Sequence, residues 1–220
     1  MLPIPVYIPQ DNNLKEFNFN AFNLSMMIWD YITPGIPDEL FERSEKVPIT
    51  KEDIRSIVLS KLRLRKNYSI IDVGCGSGSI TVEVCLQVNS KNVYAIDSDE
   101  NAIELTRKNL EKFGVSANLI YSKAEQILPS LPKVDAIIVG GTKGKTEKII
   151  ELCVSKLKND GRLVIDTILI ETMYNALKTI KREKMREIEV TQVSISKGRD
   201  VPSGTMLISR NPILILSATK

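Results

Sequence analysis

The chain has 220 residues, enough for one globular domain with a modest appendage and too few for two full domains. Apolar residues make up 43% and charged residues 26%, and a net charge of +3 is too small to point to a nucleic-acid partner. There is no histidine, which excludes Ser-His-Asp and Cys-His catalysis, and Cys75, Cys85 and Cys153 lack the spacing of a disulfide framework or a zinc site, so no metal is expected. Met1 to Pro5 show no basic-then-apolar leader, and no later run reaches the roughly 18 apolar residues of a membrane span. A cytoplasmic protein without a membrane partner is therefore expected.

Residues 1–45 read as an irregular arm, and 46–220 as the regular domain. The arm holds Phe17, Phe19, Phe22, Phe41 and Trp29, an apolar content that favours docking on the domain over exposure to solvent. Thr50 followed by Glu52 and Asp53 predicts a helix N-cap, with the helix running to about Leu62. Ser69–Val73 predicts a buried strand that runs into a glycine loop. Thr81, Val84, Cys85 and Val88 carry helical spacing, and Asn92–Asp97 is a second strand. A helix from Glu100 to Phe113 stops at Gly114 in the C′ position. Asn118–Tyr121 and Val134–Val139 are strands three and four. A helix through Ile150 and Leu157 ends at Asn159-Asp160-Gly161, ahead of strand five at Arg162–Asp166. After a helix around Met173–Ile180, Glu187–Ser196 and Thr205–Leu216 are two β patterns that should pair as a hairpin. Basic clusters at Lys61–Lys66 and Lys178–Arg186 fall at helix ends, where cations complement the helix dipole.

Strands alternating with helices imply an α/β, doubly wound parallel sheet with right-handed crossovers. With its closing hairpin it resembles the class I methyltransferase sheet, order 3-2-1-4-5-7-6. The loop Asp72-Val73-Gly74-Cys75-Gly76-Ser77-Gly78 decides between cofactors. A dinucleotide fingerprint would need a third glycine at Ser79 or Thr81, according to register. The spacing instead fits DxGxGxG, the pattern for S-adenosylmethionine, whose charge is cationic at sulfur and which has no phosphate. Asp97 at the end of the second strand is placed to accept from ribose hydroxyls, and the backbone of Ala124 to meet the adenine. Cys75 is read as a small residue in the loop.

Distant segments give a closer resemblance. Gly35–Phe41, Val47–Asp53, Asp72–Gly78, Val93–Asp97, Val139-Gly140-Gly141, Ser196–Arg199, Gly204–Met206 and Ser209-Arg210-Asn211-Pro212 resemble the small single-domain precorrin C15-methyltransferases (decarboxylating) of cobalamin biosynthesis. The resemblance implies methylation at C15 and loss of the C12 acetate carboxyl of cobalt-precorrin-6B, in a homotetramer. It implies cofactor contacts at Thr50, Gly74, Cys75, Gly76, Ser77, Gly78, Asp97 and Ala124. A polycarboxylate tetrapyrrole needs basic partners, for which Lys143, Arg199 and Arg210 are the candidates, and Gly141 would let the backbone approach the flat substrate closely. It names no catalytic side chain. A tRNA or protein methyltransferase of the same fold, and a non-catalytic S-adenosylmethionine-binding protein, remain open from the residues alone.

Overall fold

The computed structural model describes residues 29–220; Phe17, Phe19 and Phe22 of the expected arm lie outside them. The order is α1 (Glu52–Leu62), β1 (Ile70–Val73), α2 (Ser79–Val88), β2 (Val93–Asp97), α3 (Glu100–Lys112), β3 (Asn118–Tyr121) and α4 (Ala124–Ile127). It continues with β4 (Val134–Val139), α5 (Thr146–Lys156), β5 (Leu157–Thr167), α6 (Ile170–Arg182), β6 (Arg186–Val193), β7 (Ser196–Val201), β8 (Gly204–Ser209) and β9 (Ile213–Thr219). Seven strands form one sheet, β3-β2-β1-β4-β5-β9-β6, the topology expected from the sequence with β9 as its seventh strand. The first five strands pair in parallel, and β9 runs antiparallel to both β5 and β6.

Both faces of the sheet are covered, so β1 and β4 are buried along almost their whole length and mostly apolar instead of alternating. Ile71, Val73, Ile137, Val139, Leu163 and Ile165 face α5 and α6. Their neighbours Ile70, Ala136, Ile138 and Val164 face α1 and α2, with Phe113. Ile36 and Phe41 are buried in that second cluster, and the Phe41 ring stacks 4.9 Å from Phe113. Among the described residues, no helix is long and apolar enough to cross a membrane.

Two local readings are corrected. Thr50 is not the cap of α1: Lys51 holds the N-cap position without a side-chain bond, and Asp38 supplies the acceptor, taking the Glu52 N–H at 3.0 Å. The helix expected to end at Asn159-Asp160-Gly161 stops at Lys156, and those residues lie inside β5, where Asp160 has φ 60° and the pairing with β4 slips register between Val134 and Ala136. The C-terminal hairpin pairs antiparallel as expected, β6 with β9 and β7 with β8, but its ladder is interrupted. The run from Thr205 to Leu216 breaks at Arg210-Asn211-Pro212, where proline has no N–H for a ladder. Residues before the break pair with β7 as a separate two-stranded ribbon, and those after it re-enter the main sheet as β9 between β5 and β6.

Candidate functional site

The strand order reverses at β1 and β4, and the loops leaving their carboxyl ends open a crevice there, the position ligands take in open α/β sheets. Gly74 and Gly78 adopt φ of 77° and 76°, a conformation that L side chains rarely take. A Cβ on Gly78 would lie 2.6 Å from Thr106 Cγ2, and one on Gly74 would lie 3.0 Å from the Gly141 nitrogen. The loop is also held from α3: Thr106 Oγ1 donates to the Gly76 carbonyl at 3.0 Å, and Asn109 Nδ2 to that of Ser77 at 2.8 Å. Neither residue stands out in the sequence, because a Thr or Asn inside a helix reads as surface until the loop above it is placed.

The approach of Gly74 to Gly141 divides the crevice into two cavities that share Pro48, Gly74, Gly76 and Gly140–Lys143. The smaller, about 400 Å³, is lined by Asp97, Ser98, Ala102 and Ser122–Glu125. Asp97 sits at its edge; Oδ2 accepts from the Gly76 N–H at 3.1 Å and Oδ1 from Asp99 at 3.0 Å. Across the same cavity Lys145 Nζ meets Glu125 Oε1 at 2.5 Å, and that hydrogen bond holds the Glu125 carboxyl below its usual range. The larger cavity, about 490 Å³, is lined by Thr50, Lys51, Asp72, Cys75, Ser77, Ile165–Leu169, Val193, Ile195, Arg210 and Ile213, among others. Ile168 and Leu169 are 60% and 55% exposed, so this cavity opens to solvent through an apolar lip.

Of the residues singled out in the sequence, Thr50, Gly74, Cys75, Gly76, Ser77, Gly141, Lys143 and Arg210 line the larger cavity, and Asp97 and Ala124 the smaller. Gly78 lies behind the loop as the N-cap of α2. Arg199 is on the exposed β7–β8 ribbon and lines neither cavity. Lys143 Nζ donates to Ser98 Oγ at 2.8 Å on the rim between the cavities. Sequence reasoning missed Asp166 at the end of β5 and Lys51 just before α1, both of which line the larger cavity.

The floor of the crevice is acidic. Burial pushes Asp72 up to about 7, and the charges of Asp166 and Asp97 add to the rise against the Thr81 hydroxyl, which donates to Asp72 Oδ2 at 2.5 Å. Burial likewise raises Asp166 to about 6. Asp166 Oδ1 and Ser77 Oγ are buried without a partner among the described residues, so the cavity carries unused acceptors. Burial, then the charge of Asp72, pushes the Cys75 thiol far above its ordinary range and leaves it protonated, unsuited to nucleophilic work. An unsatisfied carboxyl oxygen and two further acids around a glycine loop suit a cationic ligand and oppose a diphosphate, which seeks free N–H donors and positive charge.

A doubly wound sheet with this loop at its switch point and an acid ending the second strand defines the class: a Rossmann-like methyltransferase. Residues 39–220 match the family described as the precorrin methyltransferase domain. A Saccharolobus solfataricus protein named "Probable cobalt-precorrin-6B C(15)-methyltransferase (decarboxylating)" is 48% identical over 198 residues, covering 88% of this chain and all of the relative. A solved structure of Methanobacterium thermoautotrophicum precorrin 8w decarboxylase superposes with a TM-score of 0.79 at 32% identity, covering 83% of this chain and 98% of that one. The precorrin-6y C5,15-methyltransferase of Geobacter metallireducens gives 0.80 at 30% identity, covering 87% and 100%. The chain belongs to the precorrin methyltransferase family.

The buried Asp72 carboxyl makes the ligand-free fold pH-dependent. Its folded pKa of about 7 lies above the unfolded value of about 3.9, so its contribution to stability is fully present below pH 4 and is lost as pH rises through 7. Asp72→Asn keeps an acceptor for Thr81 and removes the charge. Its stability relative to wild type should therefore rise between pH 4 and 7, by at most roughly 4 kcal/mol, and level off above pH 8. Urea denaturation across that range checks this, and a difference independent of pH would contradict it.

Proposed function

We propose that this chain uses S-adenosylmethionine to methylate C15 of cobalt-precorrin-6B and to release the C12 acetate carboxyl as carbon dioxide, in cobalamin biosynthesis. The observation that carries the reading is the division of the crevice by the Gly74–Gly141 approach: a smaller cavity lined by Asp97 and Ala124 beside a wider one with apolar walls and a cationic rim. S-adenosylmethionine, when bound, supplies an electrophilic methyl group on a sulfonium. Asp97 would accept from its ribose hydroxyls and the Ala124 backbone would meet its adenine. Gly74–Ser77 and Thr50 would hold its methionine end, where the cationic charge suits the acids Asp72 and Asp166.

On the substrate side, Ile168, Leu169, Val193, Ile195 and Ile213 offer flat apolar surface to a macrocycle, while Lys51, Lys143 and Arg210 meet its carboxylates. The walls and Gly141 fix the macrocycle over the Gly74–Gly141 ridge and exclude water from it. Nothing in this cavity needs to act as a strong base. A meso carbon is enamine-like and already nucleophilic, so alignment supplies most of the rate. As carbon dioxide leaves, the electron pair of the broken C–C bond passes into the conjugated ring, and the former methylene carbon takes up a proton from solvent to become a methyl group. We also propose that the protein works as a homotetramer, which is supported by the exposed Met206, Leu207 and Ile208 along the β7–β8 ribbon. Light scattering reads this directly, since four 24.7 kDa chains differ clearly from one or two.

Anaerobic incubation with cobalt-precorrin-6B and S-adenosylmethionine, followed by mass spectrometry, tests the activity. The expected product has gained one methyl and lost one carbon dioxide, whereas an unchanged tetrapyrrole would contradict the proposal. In the same assay Arg210→Ala should raise the tetrapyrrole KM by about tenfold, the cost of one charge-assisted contact, with S-adenosylmethionine binding unchanged. A wild-type KM would remove Arg210 from the substrate site.

A further inference from the structure

Arg55, in the middle of α1, is completely buried. Its Nε donates to Glu83 Oε1 at 2.8 Å and its Nη1 to Asp38 Oδ1 at 2.8 Å. The remaining guanidinium hydrogens reach the backbone carbonyls of Thr50 and Ile36, and the Phe41 ring lies 4.7 Å from the guanidinium carbon. Glu83, on the helix that leaves the glycine loop, also accepts from the N–H groups of Gly35 (2.8 Å) and Ile36 (3.2 Å). Two carboxylates therefore face one guanidinium. Lys51, 3.4 Å from Asp38 Oδ2, supplies the balancing charge from the wall of the larger cavity. Apolar side chains in place of the whole cluster would serve stability as well as the buried ions do, whereas loss of one partner strands the others. What the guanidinium adds is direction, because its fork ties three separate chain segments to one point.

One of those segments covers the site. Val47 is buried against Ala102 and Leu105 of α3 and anchors one end. Arg55 anchors the other through the Thr50 carbonyl. Between them Pro48 lines both cavities, and its carbonyl would lie 3.2 Å from a Cβ on Gly76. We propose that Arg55 is a positioning residue for the methyl donor, holding the strap Pro48–Thr50 against the glycine loop through the Asp38–Arg55–Glu83 cluster. This rests on the donor reading above.

Arg55→Lys keeps the charge but cannot reach all four acceptors. Calorimetry should show S-adenosylmethionine binding weakened about tenfold, equivalent to the loss of one or two ordered contacts. Amide exchange in the ligand-free protein should accelerate about tenfold at Glu52, whose N–H donates to Asp38 Oδ1 at 3.0 Å, as the end of the strap opens locally. Arg162→Met is the control for lost stability. That arginine is another buried hub, bonded to the Lys61 carbonyl, Thr219 Oγ1 and Ser217 Oγ, and it lines neither cavity. It should lower Tm and leave the binding constant at the wild-type value. Glu83→Gln, which keeps the hydrogen-bonding shape, is the milder variant if Arg55→Lys does not fold, and its effects should run in the same direction. Wild-type binding and exchange in these variants, or equal weakening in Arg162→Met at equal loss of Tm, would overturn the positioning role. Absence of binding by the wild-type protein would instead overturn the donor reading, and this one with it.

Discussion

Gly74 and Gly141 meet backbone to backbone, and the rest of the site depends on that approach. The pairing of β1 with β4 brings the two loops side by side, and the positive φ of Gly74 turns its backbone toward Gly141. A single Cβ at position 74 would press on the Gly141 nitrogen at 3.0 Å. Because nothing stands between the loops, the crevice becomes two cavities with a common ridge instead of one trough. Two ligands can then be held side by side with their reacting ends at the ridge.

Charge is sorted between the floor and the rim of the crevice. Acids line the floor at Asp72, Asp97 and Asp166, and cations occupy the rim at Lys51, Lys143 and Arg210. The carboxyl groups at 72 and 166 are raised because the sheet buries them without a cation of their own. Such a floor favours a cationic occupant and holds the same molecule less well once its charge is gone. The rim has the opposite preference and suits a ligand with several carboxylates. Catalysis in such a site comes from alignment and charge distribution, consistent with a chain that has no histidine and whose loop cysteine is buried and protonated.

Much of this was legible in the sequence because it is local. The glycine loop, the acid at 97 and the five parallel strands each lie in a short stretch whose spacing reports its conformation. What could not be read depends on partners distant in the chain. Thr50 looks like a cap, yet Asp38, 14 residues from Glu52, takes the free N–H. Arg55 looks like a surface residue of a helix until Asp38 and Glu83 are folded around it. The two terminal β runs read as one antiparallel hairpin and pair as one, β6 with β9 and β7 with β8; only the break at Arg210-Asn211-Pro212, which separates the ribbon from the sheet, was hidden. Arg199 and Arg210 looked equivalent, and only the ribbon's departure from the sheet separates them.

A crystal structure of the protein with S-adenosylhomocysteine tests the division of the crevice most directly. The account predicts the ribose at Asp97, the adenine beside Ala124 and the sulfur at the Gly74–Gly141 ridge, facing the larger cavity. Adenosine density in the larger cavity, or away from Asp97, would contradict it.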